Sequence, residues 1–218
     1  MSRYCLVVPC YNEAARLDIE ALASWLERRR DLCLVFVDDG STDETGAVLR
    51  ALEARVGPQA KVLGLARNGG KAEAVRAGLL LALASDAAFV GYYDADLSTS
   101  IAEMDRLLDD CTNGEFDFVM AARVSLLGRR IERNAVRHYL GRVFATGASM
   151  ALRLRVYDTQ CGAKLIRSNA ALRAALATPF LSRWAFDVEL IGRLMHPAPG
   201  VAALDVQRIL EEPLLEWR

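Results

Sequence analysis

The sequence predicts an α/β protein with a doubly wound, mostly parallel sheet. Short runs that are apolar throughout alternate with segments of helical spacing over the first half of the chain. Strands buried on both faces have such unbroken runs, and their alternation with helices is typical of a parallel sheet covered on both sides. Each run also ends in polar, turn-forming residues. Because ligands bind beyond the carboxyl ends of parallel strands, we expect a site at that edge.

The predicted elements follow in chain order. Apolar runs, the first of them stopped by Pro9, predict strands over residues 4–8, 33–37, 61–65, 87–93 and 116–121. Apolar residues at helical spacing predict helices over residues 13–30, 42–56, 71–85 and 101–111. After Ala122 the pattern changes to one or two basic helices over 127–154, a return toward a strand over 158–167, a helix over 184–194 and a strand over 201–209.

Length and charge limit the function classes. A chain of 218 residues with 53% hydrophobic and 25% charged residues is ordinary for a globular protein, and we expect one domain over residues 1–218. The formal net charge of -1 gives no support to nucleic-acid binding. Residues 123–155, however, contain eight arginines and one acid, Glu132, so we expect this segment to face an anion.

The cysteines and the apolar runs predict a cytoplasmic protein. Five cysteines form no Cys-x-x-Cys pair and are one too many for a complete set of disulfides, which favours a reducing compartment. The amino-terminal residues lack the pattern of a signal peptide. The best candidate for a spanning helix, residues 72–90, carries Glu73, Arg76 and Asp86. We therefore expect any membrane contact to be peripheral, on the cytoplasmic face.

Two carboxylates, Asp94 and Asp96, follow the fourth predicted strand. In extended backbone their side chains project the same way, and adjacent carboxylates repel each other unless a cation lies between them. Hard oxygen ligands suit Mg²⁺ or Mn²⁺ on a diphosphate. The alternative is structural: Asp94 ends the strand while Asp96 or Ser98 caps the next helix.

Two further turns carry candidate ligands for a nucleotide. Asp38 and Asp39 stand at a strand end before a glycine turn, where carboxylates can accept hydrogen bonds from a base or a ribose. An Asx turn with a helix cap at residues 41–42 is the alternative. The segment 68–71, Asn-Gly-Gly-Lys, could direct backbone N–H groups, a helix N-terminus and the Lys71 ammonium toward phosphate.

The arginine-rich segment has the pattern of an amphipathic helix. Arg130, Arg133 and Arg137 are spaced i, i+3, i+7, which places them on one helical face beside an apolar stripe. Such a basic helix can lie on a membrane surface. The alternative is a solvated arginine face on a helix that packs against the sheet.

Four motifs follow one another along the chain: Val-Pro-Cys-Tyr-Asn-Glu at 8–13, Val-Asp-Asp-Gly-Ser-Thr-Asp at 37–43, Asn-Gly-Gly-Lys at 68–71 and Asp-Ala-Asp at 94–96. In this order they resemble the family 2 glycosyltransferases of GT-A fold. Segments 158–164 and 183–190 resemble the branch that includes dolichyl-phosphate glucosyltransferases and related polyprenyl-phosphate sugar transferases. Ala163 departs from the aromatic residue usual in that branch.

The resemblance implies a role for each matching residue. The implied nucleotide-sugar site consists of Pro9, Tyr11, Glu13, Asp38, Asp39, Lys71, Asp94, Ala95 and Asp96. Within it, Asp94 and Asp96 are expected to hold Mg²⁺ or Mn²⁺. The implied catalytic residues are Asp96, Arg123, Asp158 and Asp187. The implied ligands of the acceptor phosphate are Arg123, Arg130, Arg133 and Arg137.

The reaction that the resemblance implies is inverting transfer of a hexose, with glucose and a UDP-sugar favoured, to a polyprenyl or dolichyl phosphate. Metal and arginine would stabilise the charge of the leaving nucleoside diphosphate. A lipid phosphate is already an anion and needs no general base, whereas a hydroxyl acceptor needs one, for which Asp187 is the candidate. Relatives tend to carry a terminal membrane anchor, which is not expected for this sequence, so peripheral membrane contact or recruitment by a membrane-protein partner is expected here. A truncated product and a different acceptor are the alternatives.

Two alternatives come from other functional classes. One is a glycosyltransferase-like nucleotide-sugar-binding protein that has lost turnover; retention of both Asp94 and Asp96 argues against it. The other is a sugar nucleotidyltransferase; the chain lacks a Gly-x-Gly-x-x-x-Arg loop near its start, which argues against that class.

Overall fold

The structure, a computed structural model, describes residues 2–112, 114–131 and 135–217, and among these the side chains of all but residues 135–140. The strands are β1 (Tyr4–Cys10), β2 (Leu32–Asp38), β3 (Ala60–Gly64), β4 (Phe89–Tyr93), β5 (Phe118–Ala122), β6 (Arg130–Ile131), β7 (Ala163–Arg167), β8 (Ile209–Pro213) and β9 (Glu216–Trp217). The helices are α1 (Ile19–Arg28), α2 (Thr45–Val56), α3 (Lys71–Ala82), α4 (Ile101–Thr112), α5 (Ala135–Leu152), α6 (Ala170–Leu176) and α7 (Phe186–Met195).

One seven-stranded sheet, in the order β3-β2-β1-β4-β7-β5-β8, organises the described residues. Strands β3, β2, β1 and β4 are parallel, and so are β5 and β8. Strand β7 runs antiparallel between β4 and β5. The mostly parallel α/β prediction is confirmed. Because β1, β2 and β4 end at the same edge, the segments that follow them meet there.

Both faces of the sheet are buried, as the unbroken apolar runs predict. Along β1, Cys5 and Val7 belong to the core cluster that includes α3, α6 and α7. The alternate residues Tyr4 and Leu6 belong to the cluster on the other face, with Trp25 of α1. Burial of a large apolar side chain contributes about 1.5–3 kcal/mol, so these two layers account for much of the stability. In the described residues, no helix has the length and apolarity needed to cross a membrane.

Several predicted boundaries are wrong for identifiable reasons. Helix α1 begins at Ile19 and not at residue 13, because the Asp18 side chain accepts a hydrogen bond from Ala21 N and caps it. Residues 206–208 form a 3₁₀ turn, so the last strand of the sheet begins at Ile209.

The basic segment after β5 also differs from its prediction. Arg130 lies in the short strand β6, paired with β9, and not on a helix. Helix α5 begins only at Ala135. The predicted face of three arginines on one helix is therefore wrong for Arg130, and Arg133 lies outside the described residues.

Replacing Gly91 by alanine is expected to destabilise the fold strongly. A Cβ on Gly91 of β4 would lie 2.0 Å from the carbonyl oxygen of Lys164 in β7. A carbonyl held in a strand ladder cannot move aside as a flexible side chain can, so we expect the free energy of unfolding to fall by about 3 kcal/mol or more. Urea unfolding measures the change.

The matched control is Gly141→Ala in α5, where a Cβ meets nothing within 4 Å. Alanine is the better helix former, so this variant is expected to be as stable as the wild type or more stable. Equal stability of the two variants would contradict the antiparallel pairing of β4 with β7.

Candidate active site

Asp94 follows β4 and lies against the glycine that immediately precedes β7. Its backbone N–H donates to the carbonyl of Gly162 at 3.0 Å. A Cβ on Gly162 would lie 1.9 Å from Oδ2 of Asp94, so only glycine leaves room for this carboxylate. The other oxygen, Oδ1, lies 2.6 Å from Nζ of Lys71 at the start of α3. An ammonium and a carboxylate thus meet at the edge where the parallel strands end.

Nearby carboxylates keep the Lys71 ammonium protonated. Burial lowers the pKa of this lysine, but the charge and hydrogen bond of Asp94, with the charges of Asp187 and Asp96, outweigh burial and raise the pKa of Lys71 above its usual value. The interaction of the Lys71 ammonium with these carboxylates stabilises the folded state. This stabilisation is complete below the pKa of lysine in the unfolded chain and is lost as the pH rises through the higher pKa of the folded state. Lys71 is therefore a cation at neutral pH.

Asp96 lies on a turn and not in extended backbone. Leu97 N donates to the carbonyl of Asp94, and Leu97 has a positive φ of 52°. Oδ1 of Asp96 accepts a hydrogen bond from Ser98 N at 3.0 Å, which closes an Asx turn. The side chain that caps α4 is that of Ser100, whose Oγ accepts from Glu103 N at 3.3 Å. The alternative of helix capping by Asp96 or Ser98 is wrong, and Asp96 is exposed at the site.

A cavity of about 270 Å³ lies in front of these residues. Its lining residues are Pro9, Cys10, Glu13, Arg16, Asp39, Lys71, Ala74, Asp94, Ala95 and Asp96. Seven of the nine residues predicted for the nucleotide-sugar site are in this lining; Tyr11, which is 44% exposed, and Asp38 are not. Oε1 of Glu13 pairs with Arg16, while its Oε2 is buried and has no hydrogen-bond partner among the described residues.

Asp39 organises the loop that precedes α3. Its two oxygens accept hydrogen bonds from Gly69 N at 2.7 Å and Gly70 N at 2.8 Å. The loops pack closely: Gly40 has a φ of 68°, and a Cβ there would lie 2.6 Å from a backbone carbon of Arg67. The prediction that the N–H groups of Gly69 and Gly70 face phosphate is therefore wrong, because Asp39 accepts from both.

Asp38 closes the turn after β2. Its Oδ1 accepts from Ser41 N at 2.9 Å, as the Asx-turn alternative predicts. Helix α2 begins at Thr45, and its preceding residue, Glu44, makes no side-chain cap, so the expected cap at residues 41–42 is wrong. Thr45 Oγ1 instead accepts from Glu13 N at 2.8 Å and ties the first loop to α2.

Arg123 and Asp158 form a bidentate ion pair beyond β5. Nε of Arg123 lies 2.7 Å from Oδ2 of Asp158, and Nη2 lies 2.9 Å from Oδ1. The guanidinium also lies 5.1 Å from the ring centroid of Trp217. Burial lowers the pKa of Arg123, but the hydrogen bonds and charge of Asp158 outweigh it and raise the pKa. The planar guanidinium is thus held in one orientation.

The turn that carries Asp158 is itself held by Glu211 of β8. The carboxylate of Glu211 accepts hydrogen bonds from the backbone N–H groups of Tyr157 and Asp158, at 2.8 Å and 2.6 Å from Oε1. Burial raises the pKa of Glu211. Asp158 thus holds the guanidinium of Arg123 in place, and its catalytic role stays a prediction.

Asp187 at the start of α7 is buried and ion-paired. Its Oδ1 accepts from Nζ of Lys164 at 2.7 Å and from the hydroxyl of Tyr92. Lys164 is fully buried, and its Nζ also donates to the carbonyl of Cys161. The expectation that Asp187 serves as general base toward a hydroxyl acceptor does not fit this geometry, because its carboxylate is paired with the buried Lys164.

The structure adds three residues to the predicted site: Lys164, Gly162 and Arg183. The first two belong to segment 158–164, so the motif itself was the signal. Arg183 Nε donates to the carbonyl of Gly69 at 3.2 Å and so also holds this loop. The exposed neighbour Trp184 packs edge-to-face on Phe144 of α5, with ring centroids 5.2 Å apart.

Of the arginines predicted to bind the acceptor phosphate, the structure describes the side chains of Arg123 and Arg130 and not those of Arg133 and Arg137. Arg130 is exposed, and its backbone N–H donates to the carbonyl of Leu215. Arg133 is outside the described residues, and Arg137 lies in α5 with its side chain not described. Their role toward an acceptor stays a prediction.

Comparison with known proteins places the chain among sugar transferases. The dolichyl-phosphate beta-glucosyltransferase of Mus musculus is 33% identical over 201 residues, which cover 85% of this chain and 61% of that protein. The protein of the same description from Trichomonas vaginalis is 32% identical over 224 residues, covering 97% and 62%. The dodecaprenyl-phosphate galacturonate synthase of Rhizobium johnstonii is 26% identical over 174 residues, covering 75% and 47%. The chain thus spans about three fifths of the length of the first two relatives.

Solved structures show the same fold. Glucosyl-3-phosphoglycerate synthase of Mycobacterium tuberculosis, solved with Mn²⁺ and UDP-glucose, superposes with a TM-score of 0.66 at 19% identity, covering all of this chain and 71% of that one. The family profile described as "Glycosyl transferase family 2" matches residues 5–172, which include the strand ends that form the cavity. The chain belongs to glycosyl transferase family 2.

Proposed function

We propose that this protein is an inverting, metal-dependent glycosyltransferase that moves a hexose, glucose, from a UDP-sugar to a polyprenyl phosphate. The observation that carries the proposal is the cavity in which Lys71 meets Asp94 beside Asp96. The names of the relatives, which use dolichyl or dodecaprenyl phosphate, support the acceptor. The UDP-glucose and Mn²⁺ of the solved neighbour support the donor and the metal.

The carboxylate oxygens of the cavity are suitable ligands for a hard divalent cation. Asp94 and Asp96 supply carboxylate oxygens, and Oε2 of Glu13 is a further oxygen in this lining that has no hydrogen-bond partner among the described residues. Among the described residues, no group of three or more His, Cys, Asp or Glu side chains is placed to hold a metal. Mg²⁺ and Mn²⁺ suit such a site, because Mg²⁺ is commonly bound by one or two carboxylates together with substrate phosphates. When bound, the metal would neutralise charge on the leaving diphosphate.

Other residues of the protein are assigned to the nucleotide base and to the phosphates. Pro9 and Glu13 line the end of the cavity formed by the first loop, where we place the base, with exposed Tyr11 at its margin. The Lys71 ammonium has three donors, so it can pair with Asp94 and with a diphosphate oxygen at once. Arg123, oriented by Asp158, supplies a second cation for the leaving or the accepting phosphate.

The state of Asp187 favours an anionic acceptor. A hydroxyl acceptor needs a carboxylate to take its proton, and the candidate carboxylate is already paired with Lys164 and Tyr92. A lipid phosphate needs no base. An acceptor of this kind implies peripheral contact with the cytoplasmic face of a membrane, directly or through a membrane-protein partner, and we propose this location.

A transfer assay tests the proposed reaction. We expect radiolabelled glucose to pass from UDP-glucose to polyprenyl phosphate in detergent micelles only when Mn²⁺ or Mg²⁺ is present. Phosphoglycerate as acceptor and a GDP-sugar as donor are the controls. Transfer to phosphoglycerate would contradict the proposed polyprenyl-phosphate acceptor. Preference for the GDP-sugar would contradict uracil as the nucleotide base of the donor. Donor binding without any transfer would favour the binding protein that has lost turnover.

Neutralising either cavity aspartate should remove metal-dependent donor binding. Asp94→Asn and Asp96→Asn each delete one anionic ligand, and we expect the Mn²⁺-dependent affinity for UDP-glucose to fall at least about tenfold without loss of the fold. Calorimetric titration with and without Mn²⁺ measures this affinity. Asp109→Asn, whose side chain is 74% exposed on α4, is the control and should bind normally. Unchanged affinity in both cavity variants would show that the metal is held elsewhere.

The substitution Asp158→Asn, which removes the charge, should slow turnover more than it weakens binding of the sugar donor. Without its bidentate partner, Arg123 is no longer fixed, and we expect kcat to fall roughly 100-fold. The half-buried arginine also loses its counter-ion, which costs about 3 kcal/mol of stability. Asp117→Asn breaks ion pairs with Arg167 and Arg208 at the opposite end of β5 and is the control. The control should lower stability but leave kcat unchanged. An equal loss of kcat in both variants would show that Asp158 contributes only to stability.

A further inference from the structure

A second cavity lies at the opposite edge of the sheet from the candidate active site. It measures about 230 Å³, and Cys5 and Cys33 are in its lining. Lys61, Ser85 and Asp86 also line it and are exposed, so the cavity opens to solvent. Cys33 precedes the end of β2 by five residues, about 16 Å of strand. This cavity is therefore separate from the sugar-transfer site.

The two cysteines are direct neighbours in the sheet. Cys5 and Cys33 are the second residues of β1 and β2 and are partners in the parallel register. Both belong to the core cluster on the α3 side, so their side chains project from the same face. Adjacent strands lie about 4.8 Å apart, and Cα atoms of disulfide-bonded cysteines are roughly 4.4–6.8 Å apart. The spacing allows the two sulfurs to bond.

The environment distinguishes Cys33 from the other thiols. The hydrogen bond with Cys5 lowers the pKa of Cys33; burial opposes this, and the charge of Lys61 adds to it. The pKa of Cys5 is correspondingly raised.

Within the part of the chain that the structure describes, the three remaining thiols have no cysteine as a neighbour in the sheet. Burial raises the pKa of Cys10 and of Cys111 to about 12 and that of Cys161 to about 11. Cys33 is also the most exposed of the five thiols, at 7% against 0–1% for the others, so a small oxidant that enters the cavity reaches it first.

We propose that Cys5 and Cys33 form a redox-active dithiol, which a small disulfide such as oxidised glutathione converts to an intramolecular disulfide. The Cys33 thiolate attacks one sulfur of the oxidant, which forms a mixed disulfide and releases one glutathione thiolate. Cys5 then loses its proton to solvent and attacks Sγ of Cys33, which releases the second thiolate. Two protein thiols are oxidised and one small disulfide is reduced to two thiols, so atoms and electrons balance.

Mass-spectrometric mapping of the folded full chain tests the proposal. After incubation with oxidised glutathione and quenching by alkylation, we expect the wild type to yield a cross-linked peptide pair that contains Cys5 and Cys33. Cys5→Ser should stop at a glutathione adduct on Cys33, and Cys33→Ser should yield no adduct at Cys5. Modification of Cys10, Cys111 and Cys161 should be at least about tenfold slower.

Cys111→Ser is the matched control, because Cys111 is buried in the other core cluster. It should form the Cys5–Cys33 disulfide at the wild-type rate. Circular dichroism establishes which variants are folded. If a serine variant does not fold, the disulfide map of the wild type alone decides the proposal. A wild type that forms no disulfide, or one that pairs a different cysteine, overturns the proposal. Equal modification rates at Cys33 and Cys161 also overturn it.

Discussion

A fully buried ammonium lies behind the candidate active site, and the surrounding structure depends on its neutralisation. Lys164 of β7 has no contact with solvent, so its charge would be very costly without a partner. Its Nζ donates to Asp187 of α7 and to the carbonyl of Cys161. The ring of Tyr92 in β4, whose hydroxyl donates to Asp187, lies 5.1 Å from Nζ. This arrangement joins two neighbouring strands to the helix that covers them, just below the residues that face the cavity.

The same strand explains how distant segments reach the site. Because β7 runs antiparallel, the turn before it lies beside the carboxyl end of β4. Gly162 in that turn receives the Asp94 carboxylate, and Asp158 four residues earlier orients Arg123 from β5. One reversed strand thus brings the metal-binding and phosphate-binding candidates together.

The acids of the site fall into two physical groups. Asp39, Asp158 and Asp187 are buried and already accept hydrogen bonds from protein donors. They hold backbone and cations in place, since a buried carboxylate is stable only when it is satisfied. Asp94 and Asp96 retain exposure at the cavity. The second group is therefore open to a bound cation or diphosphate, whereas the oxygens of the first group are already occupied by protein donors.

By itself, the sequence determined the alternating sheet, its two-sided burial and the edge at which the motifs meet, because hydrophobic periodicity and strand-end turns are local signals. It also predicted most of the cavity lining, from Pro9 to Asp96. It could not assign partners. Only the tertiary structure decided that Asp39 binds a glycine loop, that Asp187 pairs with Lys164 and that Arg130 lies in a strand. These outcomes depend on which groups the fold buries beside one another, and burial between segments far apart in the chain leaves no local pattern.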